Sequence, residues 1–217
     1  TFTNSSISGN EAANGGGIDN YSGNASFSNS SISGNSATSD GGGIHNDSEV
    51  TFTNSSISGN EAANGGGIYS DGTTELTDST VEGNSAATNG GGVYNNNNAT
   101  LTNSTVSGNE VASSGKGGGI YNTTAGMTSL KNSTVADNSD NDDSSNNGGD
   151  IYNSANFTVT NSVIAGSSSN AEVNIIGGTT NEITLNEANL LAVSNDDVFD
   201  DTSNVVSGSD LEALSQN

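Results

Sequence analysis

Cysteine, proline and tryptophan are absent from this 217-residue chain, and its two Lys+Arg positions are Lys116 and Lys131, so arginine is missing as well. Without cysteine, a disulfide framework and a thiolate metal site are both excluded. Positive charge is scarce. The 25 acidic residues leave a formal net charge of -23, which repels a phosphate backbone and sets nucleic acid aside as a partner. No stretch of ~20 apolar residues occurs, so nothing reads as a membrane-spanning helix, and no charged-then-apolar signal segment is seen. Large apolar residues are few: Leu, Ile, Val and Phe total 38, against 30 Gly and 36 Asn. Taken alone, such a composition points to disorder.

What is present overrules that reading, because the chain repeats itself. TFTNSSISGNEAANGGGI occupies residues 1–18 and again, letter for letter, residues 51–68, with SFSNSSISGNSATSDGGGI over residues 26–44 between them. The unit is therefore about 25 residues. Three apolar columns recur: Phe2, Phe27, Phe52, Leu76, Leu101, Leu130 and Val159; five residues later Ile7, Ile32, Ile57, Val81, Val106, Val135 and Ile164; and after the glycines Ile18, Ile44, Ile68, Val93, Ile120 and Ile151. Each sits in a short alternating stretch such as Thr51-Phe52-Thr53, one side chain in and its neighbours out, which is the period of a strand. Glycine triplets, β-branched residues and abundant Asn and Ser disfavour helix. Three short strands per unit, repeated, make an all-β parallel solenoid whose coils stack ~4.8 Å apart, and roughly seven regular coils give a rod about 34 Å long. Neighbouring coils then cover the few inward apolar residues from above and below.

Asparagine recurs in columns of its own. Asn10, Asn35, Asn60, Asn84, Asn109 and Asn138 form one, expected to bond amide to amide along the axis as a structural ladder. Asn4, Asn29, Asn54, Asp78, Asn103, Asn132 and Asn161 form a second, and Asn20, Asn46, Asn95, Asn122 and Asn153 a third, all read as turn residues. The run Ile7-Ser8-Gly9-Asn10-Glu11-Ala12, followed by GGGI-x-N, resembles the repeats of bacterial polymorphic outer-membrane proteins, with Ile or Val here for their Phe and GGG for their GGA. The likeness covers residues 1–165 and implies a right-handed parallel β-helix of the pectate-lyase-like kind. The motif residues it carries over are structural, so it speaks to fold rather than to activity. Residues 166–217 read as irregular final coils and an acidic cap or tail. Because Phe2 is already in register, the first coil is expected to continue a longer rod or to stack end to end with other copies.

Enzymes on the fold so implied degrade polysaccharides with Asp clusters, calcium and an Arg or Lys. Here Lys116 and Lys131 lie on different coils without a carboxylate trio beside them, and His45 stands alone in an outward slot, so no catalytic residue is assigned. No cofactor is expected. Calcium is the one ion that the acidic insert around Asp140, Asp142 and Asp143 could take, although the spacing fits no EF-hand and reads first as a solvated loop. Tyr69, Tyr94, Tyr121 and Tyr152 each follow a buried Ile or Val and form an outward column, a contact surface for sugar or protein or simply a cross-strand stack. Thr and Ser rows flanking the first apolar column suggest an ice-binding face, but Glu75 and Lys131 interrupt them. If the Asn4 column points inward, its N-S-[ST] sequons are poor glycan acceptors, and Asn24 or Asn98 would serve better. The expected role is a non-enzymatic extracellular or cell-surface segment of a larger protein (stalk, fibre or adhesin) with cell-surface or polysaccharide ligands. The alternatives are a polysaccharide-binding or polysaccharide-degrading β-helix and an ice-binding solenoid.

Overall fold

Alternation with period two lets each short stretch bury one side and pair its backbone with the equivalent stretch about 25 residues on. In the computed structural model this happens throughout residues 1–112, 114–141 and 147–165, the residues described, joined by the strands Val173–Ile175, Ile183–Asn186, Leu190–Leu191 and Val205–Val206. All pairings are parallel, and the coils stack into a solenoid with no helix among the described residues.

Four sheets run along the rod, the third of them only from Glu11–Ala12 to Glu110–Val111. The first is built from five-residue strands such as Asn24–Ser28, Glu49–Thr53 and Thr73–Thr77, in the register Phe27↔Phe52 and Leu76↔Leu101. The second uses three-residue strands such as Ser56–Ser58, each with one inward Ile or Val. The fourth uses strands such as Val93–Asn95, in which the apolar residue and the Asn both point in. Three strands per coil therefore becomes four, because a third sheet of five strands lies between the second and the fourth, with Glu61–Asn64 and Ser85–Asn89 as members. Its inward residues are small, chiefly Ala37, Ala62 and Ala86. Alanine is depleted in strands, so the column carries no strand signature of its own.

The apolar columns fill the interior. Phe2, Phe27 and Phe52 stack ring on ring at 4.8 and 5.0 Å, and Ile57, Ile68, Leu101 and Val106 are fully buried. Polar ladders line the corners. At the turn after the second sheet, each Asn from Asn10 to Asn109 donates its backbone N–H and its Nδ2 to Oδ1 of the Asn one coil on, at 2.9–3.1 Å. The second Nδ2 hydrogen goes back to the preceding coil, as in Asn84 to the Ile57 carbonyl at 3.1 Å. From Asn35 to Asn109, every donor and acceptor of these buried amides is thereby used.

The turn between the first two sheets works differently. Asn4, Asn29, Asn54, Asp78, Asn103, Asn132 and Asn161 all have φ between 47° and 52°, the left-handed region that Asn tolerates. The serine that follows each is turned inward. Ser30, Ser55, Ser79, Ser104, Ser133 and Ser162 are buried, and each hydroxyl takes the backbone N–H of the serine one coil before. The glycine triplets make room at the remaining corner. A Cβ at Gly67 would sit 2.6 Å from the Gly92 carbonyl and 3.0 Å from Asn84 Nδ2, so the ladder needs glycine there. The sixth triplet ends in Asp150, whose Oδ1 accepts Asn138 N and Nδ2 at 3.0 and 2.8 Å and so completes the ladder.

Past residue 165, the four later strands extend the first, second and fourth sheets, while the acidic tail read over residues 195–217 lies mostly outside the described residues. A substitution pair tests the ladder. Asn84→Ala strips both donors of Asn60 of their acceptor and should cost about 3–5 kcal/mol in urea unfolding, at 1–3 kcal/mol per orphaned buried group. Asn54→Gly keeps the left-handed turn and should cost less than about 1 kcal/mol.

Candidate functional site

The fourth-sheet strands place Ile or Val inside, the next residue outside and Asn inside, so the middle positions line up on the surface. They hold His45, Tyr69, Tyr94, Tyr121 and Tyr152 in register, and Tyr152, only 4% exposed, is buried at the end of the stack, which corrects the outward place read for it. Their rings stack along the axis at centroid distances of 5.3, 4.6, 4.9 and 5.1 Å. Because the faces lie against one another, what reaches solvent is mainly edges and hydroxyls. A sugar therefore meets phenol edges here rather than open ring faces. At one end His45 Nδ1 lies 3.0 Å from Asp19 Oδ1 and Nε2 lies 3.7 Å from Asp47 Oδ1. At the other, Lys116 Nζ donates to the Tyr152 hydroxyl at 2.9 Å and sits 4.5 Å from that ring's centroid.

Carboxylates border the stack. Asp40 accepts from Asn64 Nδ2 at 3.0 Å, and Asp71 accepts from Asn96 Nδ2 at 2.8 Å. Burial holds the Tyr69 phenol well above the usual range, helped by the negative charge of Asp71, by Tyr94 and by Asp40. Burial also raises Tyr94, followed by Tyr121, Asp71 and Asp40, and it raises Tyr121, where Lys116 partly offsets the effect.

A groove that the sequence reading missed lies along the bend between the first two sheets. It has a volume of about 560 Å³, crosses four coils, and is lined by Asn29, Ser31, Asn54, Ser56, Asp78 and Thr80 among others. The Asn4 column forms its wall and is exposed, which corrects the inward placement considered for those sequons: the left-handed residue turns its amide out and tucks the next serine in. Amides bond along this wall as well, Asn54 to Asn29 at 2.6 Å and Asn103 to Asp78 at 3.1 Å. The recurring Asn-Ser pair was the signal available for this bend.

The remaining positions are scattered. Lys131 is exposed on the first sheet in register with Thr102 and Thr160, and Glu75 lies between Thr51 and Thr100, so both hydroxyl rows are broken. Asp140 is fully buried rather than solvated, while Asp142 and Asp143 lie outside the described residues. Among the described residues no three His, Cys, Asp or Glu are placed to hold a metal ion together. In comparisons with known proteins, a family model described as the right-handed beta helix region matches residues 1–138. No curated protein and no solved structure gives a significant match.

The raised phenols fix an alkaline response. In the unfolded chain tyrosine releases its proton near pH 10, whereas Tyr69, Tyr94 and Tyr121 hold theirs to higher pH when folded. The folded state then binds more protons, so stability is full below about pH 10 and falls as pH rises beyond it. Their phenolate absorbance should appear together with loss of the β signal in circular dichroism. Complete ionisation near pH 10 with the fold intact would show that the stack does not protect these phenols.

Proposed function

The chain belongs to the right-handed β-helix family, and from that premise we propose that it is a non-enzymatic structural or adhesive segment of an extracellular protein: a stalk, fibre or surface rod. The observation that carries this reading is the pair of side-chain ladders, running unbroken from Asn10 to Asp150 and from Ser5 to Ser162. Such chains tie each coil to the next by hydrogen bonds as well as by the sheets, and so resist bending and slippage. Most polar side chains that could act in the interior are already bonded to one another. The outward surface is rich in hydroxyls, amides and carboxylates, and its single-sign charge keeps rods apart in solution. A cysteine-free, acidic surface of this kind suits an extracellular setting.

Electron microscopy of the chain should show straight, unbranched rods, and incubation with pectin, alginate and related polymers should give no turnover. Turnover that one Asp→Ala substitution abolishes would overturn the non-enzymatic reading.

A second reading, polysaccharide binding, is favoured by the groove, whose wall offers amides and hydroxyls at the coil repeat. Calorimetric titration with neutral and acidic oligosaccharides tests it. Binding should weaken about tenfold, or about 1.4 kcal/mol, in Ser56→Leu/Thr80→Leu, which blocks the groove without touching the buried serines. The absence of any saturable binding would remove this second reading and leave the first standing.

A further inference from the structure

The outer wall of the groove is an amide ladder, and from Asn29 to Asn161 it is interrupted once. Asn54 donates its Nδ2 to Asn29 Oδ1 at 2.6 Å. Further along, Asn103 donates to Asp78, Asn132 to Asn103 and Asn161 to Asn132, at 3.1, 3.2 and 2.8 Å. Each amide thus hands a hydrogen to the coil before it. The junction between Asn54 and residue 78 is not made, because Asp78 holds a carboxylate where the ladder calls for Nδ2. Asn54 Oδ1 and the Asp78 carboxylate stand on neighbouring coils as two acceptors with no donor between them. The gap lies where charge is concentrated. On the same coil Glu75 and Glu82 face outward on either side of the bend, and all three acids are exposed. The positions of the two glutamates hold Thr51 and Ser58 on the coil before, and Thr100 and Ser107 on the coil after. Lys131 lies two coils further on, in the row of Thr77 and Thr102, and among the described residues no lysine pairs with any of the three acids.

Resting on the reading that the groove binds polysaccharide, we propose that this gap selects the sugar. The groove takes an amino-sugar polymer, and a free ammonium group of that polymer sits over Asn54 Oδ1 and Asp78 and supplies the missing donor. An ammonium brings three N–H donors and no acceptor, and a bond between opposite charges is short and strong. The three carboxylates repel polymers of uronic acids. Calcium is the poorer occupant, since it asks for about six to eight oxygens and the gap offers one amide oxygen and one carboxylate. A basic peptide is poorer too. Every side chain lining the groove is Asn, Ser, Thr or Asp, which suits the hydroxyls of a sugar and gives apolar side chains nothing to bury against.

The test is calorimetric titration of the full chain with glucosamine oligosaccharides and with their N-acetylated counterparts, which keep the sugar backbone and cap the amine. Mildly acidic, low-salt buffer keeps the amine charged. The free amine should bind about tenfold more tightly than the capped form. Asp78→Asn returns an Nδ2 to the wall, and asparagine already holds the left-handed turn in the neighbouring coils, so this variant should fold as the parent does. It should bind both oligosaccharides equally, whereas Ser56→Leu/Thr80→Leu should weaken both. Equal affinities in the parent would overturn the proposal and leave the groove reading standing, since they would mean that Asn54 turns its amide to Asp78 and closes the gap. A preference that survives Asp78→Asn would overturn it by placing the amine elsewhere on the acidic surface. A lysine oligopeptide with the same Asp78-dependent gain would assign the gap to a peptide instead. No saturable binding of either oligosaccharide would remove the groove reading and the proposal together.

Discussion

One constraint governs the structure: parallel backbone pairing fixes consecutive coils about 4.8 Å apart, and every side chain must live with its equivalents at that distance. Aromatic rings accept it readily. The centroid spacings of 4.6–5.3 Å in the tyrosine column and 4.8–5.0 Å in the phenylalanine column follow the strand spacing. Buried polar groups accept it only if each can be donor and acceptor to its own kind. The asparagine amide and the serine hydroxyl, working with their backbone N–H groups, meet that condition, and lysine or arginine does not. The same requirement explains the compensations. Where the third asparagine column changes to Ser70, Thr74 supplies a buried hydroxyl at 2.9 Å.

The ladders also give the rod a direction. In the buried asparagine chain each Nδ2 points toward the later coil and each Oδ1 toward the earlier one. The amide dipoles add head to tail, much as peptide dipoles do in a helix, with the donor end at Asn138. A carboxylate is the suitable terminator for a row of donors, and Asp150 supplies it.

With the interior committed to self-recognition, what the protein offers to others is confined to its outer rows. The groove wall, the broken hydroxyl face of the first sheet and the tyrosine edges are all built on strands or tight turns, so their spacing is rigid and periodic.

The sequence by itself determined the solenoid, its period and its three apolar columns, because alternation and repetition are local properties that survive without knowledge of contacts. The Asn10-to-Asn138 column was legible for the same reason, since in-register stacking follows from the repeat alone. The third sheet was not, because its inward alanines carry no alternation signal of their own. Nor was the facing of the Asn4 column, because whether a left-handed turn residue points in or out depends on which way the chain bends around it. Asp140 and Asp150 read as members of an acidic loop, and only the folded coils carry both into the interior. That placement is a tertiary matter: the Asn138 donors at the end of the ladder need an acceptor, and which carboxylate can reach them depends on how the coils stack.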